Sequence, residues 1–536
     1  MSRCRVSCSW RHWLIGLLAL AFALGTVYWI FTFPFHPSFV LRVVPPEATV
    51  VAWHLQPASR IEALLRSAPA GVLLAVDEVS AAEVLADLDE PGVRALLDRL
   101  AGIGIALAFA PAYGQRDTPA LFVGSWVGGL TTHLARGGWL DESFEGFTVH
   151  WIGRDRIWTG TWPDLPDGLQ QVSFGVYEGV LAGCASSDPF AAFPLLQALK
   201  QHGPLTALAE PLAAITEGFG HIRARQTDGL GNASLWTGSF DMDEDGRLSG
   251  QVVLEEAQTM LPWLPGSTAG VLPVALRTLF PMPSDLPAAI VALPLLHGAA
   301  AGAMLLAPDS PETVVLETLS GMAARDAGAC VWLSGGDYSG RLMRLKIPSG
   351  GFALQVDPAT RLEAVASQLV DTLNSLYGAG LIAVPDRQRA DIQVFRPVKD
   401  SGGLAFLGAD ERPALALVDG WLVGMSNVAV LRRVLAAGKP ALVDGLAGEG
   451  LDHVWLYGHT RLPVLGELTS NALAGYALMR LLQTGTAERL DSPLVKRVLA
   501  AMQTLGEGTL RAGVDPQGRV AVVFEIDGWQ EGDADE

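Results

Sequence analysis

The longest apolar stretch of the chain lies near its N-terminal end. Residues 13–33 are 21 consecutive positions without a charged side chain. A helix of that length spans the roughly 30 Å hydrocarbon core of a bilayer. The pattern therefore predicts a transmembrane signal-anchor helix over residues 13–33, ended by Pro34 and Pro37.

The residues before this run predict its orientation. The tail of residues 1–12 holds three arginines and no acid, which by the positive-inside rule keeps it in the cytoplasm and the bulk of the chain outside. A cleaved signal peptide is the alternative, because Ala21-Phe22-Ala23 is an acceptable cleavage site. The apolar run continues for ten residues past that site, whereas cleavage regions are polar, and this favours an uncleaved anchor.

The region after the anchor repeats itself. Offset by 241 residues, PEATVVAWHL at 46–55 aligns with PAAIVALPLL at 287–296, and VYEGVLAGCAS at 176–186 aligns with LVDGWLVGMSN at 417–427. Three weaker matches keep the same order. We therefore predict a tandem duplication, with one lobe at 40–258, a linker at 259–275 and a second lobe at 276–527.

The repeat also interprets a second apolar run, Pro287–Ala307. Its 21 residues are nearly uncharged, but they contain two prolines and a histidine. Its counterpart at 46–55 is too short to span a membrane, so we predict a strand of the soluble core followed by a loop or helix. The greater length of the second lobe is assigned to a helical insertion at about 468–505, and residues 528–536 form an acidic tail.

Within each lobe, strand and helix patterns alternate. Short β-branched runs predict strands, and the pairs Glu178-Gly179 and Asp419-Gly420 predict hairpin turns between antiparallel neighbours. Asp188 and Asn427 then predict the N-caps of two equivalent helices, the first with Pro189 in its first turn. The predicted fold class is α+β, with antiparallel-rich sheets in both lobes.

Composition and charge narrow the partner classes. Half of the residues are apolar, so the chain can bury large cores. The net charge is −19, and beyond residue 33 the chain carries 34 basic against 56 acidic side chains. Such a surface repels phosphate backbones, and nucleic acid is not expected as a partner.

The four cysteines do not have the spacing of a metal site. Cys4 and Cys8 lie in the basic tail, and only Cys184 and Cys330 lie in the body of the chain. These two form either one disulfide or two buried free thiols. Since they fall in different lobes, the free thiols are favoured.

One acidic turn imitates half of a calcium site. Asp241, Asp243 and Asp245, followed by Gly246, match the start of an EF-hand loop, but its twelfth position, where a bidentate Glu is needed, is Val252. The favoured interpretation is an acidic hairpin tip. The sequence has no phosphate loop, dinucleotide fingerprint or nucleophile elbow, so neither a cofactor nor a catalytic residue is predicted.

A tryptophan cluster is the candidate partner surface. Four tryptophans fall within 24 residues, beside Arg154 and Arg156: Trp139, Trp151, Trp158 and Trp162. Exposed tryptophans stack on sugar rings or bind partner proteins. In a strand-rich region, however, half-buried core positions are the more common outcome.

The order of an anchor, a PPEATVVAW strand and a repeated strand–acid-Gly–strand–helix corner resembles a class of bacterial membrane-anchored extracytoplasmic proteins built on a domain of unknown function. The resemblance implies an inner-membrane protein with its bulk in the periplasm, and it carries no catalytic residues. We therefore expect a non-enzymatic binding or scaffold protein whose partner is an envelope protein, polymer or lipid. The alternative is a hydrolase-like envelope enzyme with a site assembled from distant residues in the inter-lobe cleft.

Overall fold

The chain divides into two compact units, Met1–Ile61 with Leu85–Asp241, and Glu62–Val84 with Met242–Glu536. The computed structural model describes residues 17–25, 27, 35–67, 70, 71, 74, 81–112, 115–138, 146–163, 165, 168–227, 233–255, 289–294, 311–323, 328–334, 349–378, 380–398, 410, 412–436, 453–470, 499, 502, 506–517 and 519–528.

The described part of the predicted anchor is helical. Residues 17–25 form a helix whose large apolar side chains are exposed, Phe22 by 78 %. In the part of the chain that the structure describes, no helix is both long and apolar enough to cross a bilayer. Most of the remaining predicted anchor, residues 13–16, 26 and 28–33, lies outside the described residues.

Helices follow the anchor segment in both units. Within the described ranges they are, in chain order, α1 Pro37–Leu41, α2 Ile61–Leu65, α3 Ala81–Leu88, α4 Pro91–Ala101, α5 Gly128–Gly137, α6 Ala192–Gln201, α7 Pro311–Met322, α8 Leu362–Tyr377 and α9 Val428–Ala436. Residues 462–470, after β18, are also helical.

The first unit is built on an antiparallel row of strands. Their bounds are β1 Val50–Leu55, β2 Gly104–Ala112, β3 Gln115–Trp126, β4 Thr148–Ile152, β5 Asp155–Thr161, β6 Gln171–Tyr177, β7 Val180–Ser186, β8 Gly220–Thr227 and β9 Ala233–Met242. The hydrogen-bonded order is β4-β5-β6-β7-β3-β2-β1-β8-β9.

The second unit has its own antiparallel row. Its strands are β10 Leu248–Leu254, β11 Ala289–Pro294, β12 Gly328–Ser334, β13 Ser349–Gln355, β14 Leu381–Pro385, β15 Ile392–Pro397, β16 Ala414–Val418, β17 Trp421–Met425, β18 His453–Arg461, β19 Glu507–Val514 and β20 Val520–Ile526. The order is β14-β15-β16-β17-β13-β12-β11-β18-β19-β20-β10.

These rows confirm the predicted fold class, mixed α+β with antiparallel-rich sheets. Strand β11 is hydrogen-bonded to β12 on one side and to β18 on the other. The first part of Pro287–Ala307 is therefore an inner strand of a sheet, as predicted, while residues 295–307 lie outside the described residues.

The core of the first unit forms where helices cover this sheet. Leucines of α6 recur at helical spacing, and Leu195, Leu196 and Leu199 are all buried. Each such burial contributes about 1.5–3 kcal/mol. On α1, Val40 is fully buried against β3, and this close approach requires a glycine, because a Cβ at Gly124 would lie 2.8 Å from the Val40 carbonyl oxygen.

The second unit buries both faces of its sheet. Alternate residues of β16 and β17 point to opposite sides, as the two-residue period of a strand requires. Leu415 and Leu422 pack with Leu369 of α8 on one face. Ala416 and Val423 pack with the helix α9 on the other, where Leu431 is fully buried.

The predicted helix starts are right for one corner and wrong for the other. Asn427 caps α9, since its side-chain oxygen accepts the Ala429 N–H at 2.8 Å. The helix predicted to start at Pro189 instead begins at Ala192, because the Asp188 carboxylate accepts the Phe190 N–H at 2.9 Å in a separate turn before it.

The two cysteines in the body of the chain are not bonded to each other. Cys184 and Cys330 are both free and buried, and burial raises the pKa of each thiol to about 12. The disulfide alternative is therefore wrong.

Three predicted segments lie outside the described residues: the tail of residues 1–12, the linker at 259–275 and most of the 468–505 insertion.

Candidate partner-binding site

Two hairpin turns meet at one end of the first unit. The first, between β4 and β5, follows the Ile152–Asp155 pair, and the second, between β6 and β7, follows the Tyr177–Val180 pair. Ile157 of β5 lies opposite Gly175 of β6, which puts both turns at the same end of the sheet. Several aromatic and basic side chains collect at this end of the unit, and Trp151, Arg136 and Arg154 among them are exposed.

The β6–β7 turn is a rigid support. Glu178 and Gly179 both have positive φ, 45° and 84°, which is typical of the two-residue turns that match strand twist. The Gly179 N–H donates to Thr132 Oγ1 at 2.8 Å. The indole of Trp126 lies so close that a Cβ at Gly179 would be 2.6 Å from it. The predicted hairpin is thus confirmed, and glycine is required there twice over.

The structure separates the predicted tryptophans. Trp158 is 1 % exposed and is stacked on Phe174, with 5.3 Å between ring centroids and 5° between planes. Trp151 and Trp162 are 60 % and 55 % exposed. Trp139 lies outside the described residues.

Arg156 links the buried and the exposed ring. It lies opposite Trp151 on the neighbouring strand. Its guanidinium carbon is 5.1 Å from the ring centroid of Trp151 and 5.7 Å from that of Trp158. A cation–π contact contributes about 0.5–1 kcal/mol at an exposed site. The Arg156 guanidinium therefore lies close to both rings and favours the observed position of Trp151 at the surface.

A second set of basic side chains surrounds Tyr177. Arg136 of α5 lies 5.3 Å from the centroid of its ring, and Lys200 of α6 lies 5.8 Å from it. Lys200 also pairs with Asp155 at the start of β5. Burial, followed by the hydrogen bond with Glu178, raises the pKa of Tyr177, so the ring stays neutral at physiological pH.

The N-terminal helix α1 joins the same cluster. Arg42, which caps α1, has its Nη1 3.4 Å from Nδ1 of His202, and Nε2 of His202 is 3.7 Å from the Glu178 carboxylate. We call the whole set the hairpin patch, and its aromatic and basic members are Arg42, Arg136, Trp151, Arg154, Arg156, Tyr177 and Lys200.

The patch reverses the charge of the chain. Five arginine and lysine side chains meet two carboxylates, Asp155 and Glu178, in a protein with a net charge of −19. Sequence reasoning found Trp151 but missed Arg42, Arg136, Tyr177 and Lys200, because they come from four elements far apart in the chain. Only the sheet register brings them together.

The acidic turn does a structural task. The Asp243 carboxylate accepts the N–H groups of Asp245 and Arg247 at 3.0 and 2.9 Å, and Asp241 pairs with Arg60 at 2.6 Å. Among the described residues, no three His, Cys, Asp or Glu side chains are grouped as metal ligands. The turn amides account for Asp243 and the ion pair with Arg60 for Asp241, two of the three carboxylates singled out in the sequence.

Two further shifted groups have structural causes. Burial and the nearby His221 lower the pKa of His54, whose ring lies 5.5 Å from the ring of Phe240. Two hydrogen bonds from Arg432 hold the pKa of Asp386 below its ordinary value against the opposing effect of burial.

Comparisons with protein-family models, with curated proteins and with solved structures find no match to this chain. Function therefore has to be inferred from the chemistry of the hairpin patch and from the organisation of the chain.

Proposed function

We propose that the chain is a non-enzymatic, single-pass membrane-anchored binding or scaffold protein of the bacterial cell envelope, and that it binds through the hairpin patch. The observation that carries this proposal is Trp151, which is 60 % exposed and lies against Arg156. Rigid, exposed aromatic and arginine side chains are the residue types that dominate binding interfaces. A solvated strand end does not need them.

The membrane anchor is supported by the apolar run of residues 13–33 and by the exposed apolar side chains of helical residues 17–25. Such side chains are unfavourable in water and favourable in lipid. The three arginines before the run support a cytoplasmic N-terminus by the positive-inside rule, and with it a hairpin patch in the periplasm.

The tandem duplication is supported by the strand orders. Adding ten to each strand number of the first row reproduces the first nine strands of the second row. The turns before β10 and β20 also agree, because Asp243 and Asp515 each accept two backbone N–H groups, two and four residues further on. A shared strand order with shared turn chemistry is the mark of a repeated unit.

The pairing of β10 with β20 is symmetric and also supports the duplication. Gln251 lies opposite Val523, and Leu248 and Leu254 lie opposite Ile526 and Val520. If the Asp243 and Asp515 turns are aligned, Gln251 and Val523 are equivalent positions. The two equivalent strands therefore pair about a local twofold axis, as at an isologous interface of two identical subunits.

The proposal is tested by crosslinking the full chain in its native membrane. We expect the adducts of the unaltered protein to persist in Trp162→Ala, which removes an equally exposed tryptophan outside the Arg156 contact, and to be lost in Trp151→Ala. Mass spectrometry would identify the adducts as protein, polymer or lipid. Equal recovery from both variants would contradict binding through the hairpin patch, and extraction of the chain by carbonate would contradict the anchor.

A further inference from the structure

In the sequence, the predicted anchor is followed directly by core residues of the first unit. Phe35 lies edge-on to Trp126, with 5.7 Å between ring centroids, and Val40 and Leu41 of α1 are completely buried. In the sequence, the apolar run ends at Phe33, two residues before Phe35. A span over residues 13–33 would hold this unit directly against the bilayer.

The contacts of Trp126 show which end of the unit is held there. Trp126 lies opposite Val180 in the strand pairing, and its ring touches Gly179 in the β6–β7 turn. The β4–β5 turn lies at the same end of the sheet. The end of the unit nearest the anchor is therefore the end that carries the hairpin patch.

The side chains of the patch suit the headgroup layer. Tryptophan and tyrosine collect at both membrane–water interfaces, and clustered lysine and arginine side chains are attracted to anionic headgroups. Trp151 is exposed in the β4–β5 hairpin, and Leu130, in the first turn of α5, is 54 % exposed. Arg136 and Arg154 are exposed beside them, and α1 ends at Arg42.

We infer that the hairpin patch docks on anionic lipid headgroups of the membrane that carries the anchor. This inference rests on the proposed anchor and goes beyond it, because it assigns a ligand chemistry and an orientation to the first unit. The lipid phosphates would pair with Arg42, Arg136 and Arg154, and Trp151 and Leu130 would enter the interfacial layer. Elsewhere the acidic chain repels the same surface.

The test uses the full chain in nanodiscs of phosphatidylcholine, with or without phosphatidylglycerol. Amide hydrogen exchange is followed in the two turns of the patch, around residues 152–156 and 176–180. We expect slower exchange in the anionic discs, and each of Arg136→Gln and Arg154→Gln to reduce this protection about fivefold, the effect of one basic residue near an anionic surface. The matched control is Arg225→Gln, which should keep the protection. Arg225 is exposed and lies near the end of β8 that is farther from the hairpin patch.

The failures of the two proposals are distinguishable. A chain that does not insert into either kind of disc would contradict the anchor itself. A chain that inserts but exchanges equally fast in both lipids would overturn the docking inference and leave the anchor standing. An Arg225→Gln effect as large as that of Arg154→Gln would also overturn it, because protection would then follow total charge and not the hairpin patch.

Discussion

The β6–β7 turn in the first unit and the β16–β17 turn in the second share one backbone but not one environment. Glu178-Gly179 and Asp419-Gly420 have nearly the same φ values, 45° and 84° against 49° and 80°. A Cβ at Gly179 would strike Trp126, whereas one at Gly420 would meet no atom of the described residues within 4 Å. The fold requires the acid-Gly turn in both units. It does not require the rings and cations that surround the turn of the first unit.

The same contrast appears beside each turn. In the first unit Tyr177 precedes the acid and has Arg136 and Lys200 over its ring, while in the second unit the residue before the acid is Val418. A shared element with one elaborated environment suggests that the elaboration serves binding. Substitutions in the two units should separate the residues that stabilise the fold from those that serve binding.

The largest expected effect separates the two tryptophans on either side of Arg156. Trp158→Ala should lower the free energy of unfolding by about 3–5 kcal/mol, because it removes a fully buried ring from its stack on Phe174. Trp151→Ala should cost about 1 kcal/mol at most, since only a cation–π contact is lost. Chemical denaturation of the detergent-solubilised chain measures both. Equal losses would mean that Trp151 is a core residue and not a binding residue.

The two units hold the hairpin at the edge of the strand row by different contacts, to the turn before α6 in the first unit and to α9 in the second. The first unit uses an aromatic contact, His150 on Phe190 at 5.2 Å, and the second a partly buried ion pair, Arg432 with Asp386, at 2.6 Å. Arg432→Gln should cost about 3 kcal/mol, the lower end of the range for breaking a buried pair, because backbone N–H groups still donate to Asp386.

Phe190→Ala is the matched change in the first unit. Phe190 is 36 % exposed, so this truncation should cost about 1 kcal/mol, less than the loss of the ion pair. If thermal unfolding showed Phe190→Ala to be the more harmful of the two, the ion pair would be a solvated surface feature and the contrast between the units would fail.

The two turn glycines test the opening comparison directly. Alanine at either position must adopt a positive φ, which costs about 1–2 kcal/mol. Gly179→Ala should cost at least about 1 kcal/mol more than Gly420→Ala, because its methyl group would also displace the Trp126 ring. Melting temperatures of the two variants provide the measurement, and a larger loss for Gly420→Ala would refute the assignment of the tighter environment.

The smallest expected difference lies between the two aspartate turns. Asp515 is 2 % exposed and pairs with Arg519 at 2.8 Å, whereas Asp243 is exposed. Asp515→Ala should therefore cost about 2 kcal/mol, and Asp243→Ala less than about 1 kcal/mol. Calcium titration of the unaltered chain is expected to give no micromolar binding at the Asp243 turn, because its carboxylate already accepts two amides.

The Asp515 effect should depend on pH. Burial alone would raise the pKa of Asp515, but hydrogen bonds from the backbone and side chain of Arg519 outweigh it and leave that pKa below its ordinary value. The stabilisation is then fully present above the unfolded pKa of about 3.9 and is lost as the pH falls through the folded pKa. Unfolding measured from pH 7 downward should show Asp515→Ala and the unaltered chain converging in stability.

Local patterns were sufficient to predict the fold class and several of its turns. The acid-Gly hairpins and the Asn427 cap depend on neighbouring residues, so their chemistry is visible in the sequence. The predicted start of α6 was wrong because Asp188 and Pro189 form a turn of their own before the helix begins. The hairpin patch was only partly predicted, because Arg136 and Lys200 reach Tyr177, and Arg42 reaches His202, through the tertiary arrangement of the elements, which no short spacing encodes.

The β10–β20 pair has a consequence for the making of the protein. Gln251 and its partner Val523 are separated by 272 positions in the chain. At a synthesis rate of about 5–20 residues per second, β10 waits on the order of tens of seconds for the strand that covers this edge. During that time an open strand edge is available to other chains. A nascent chain that stalls before residue 520 would therefore leave this edge of β10 open as a site for aggregation.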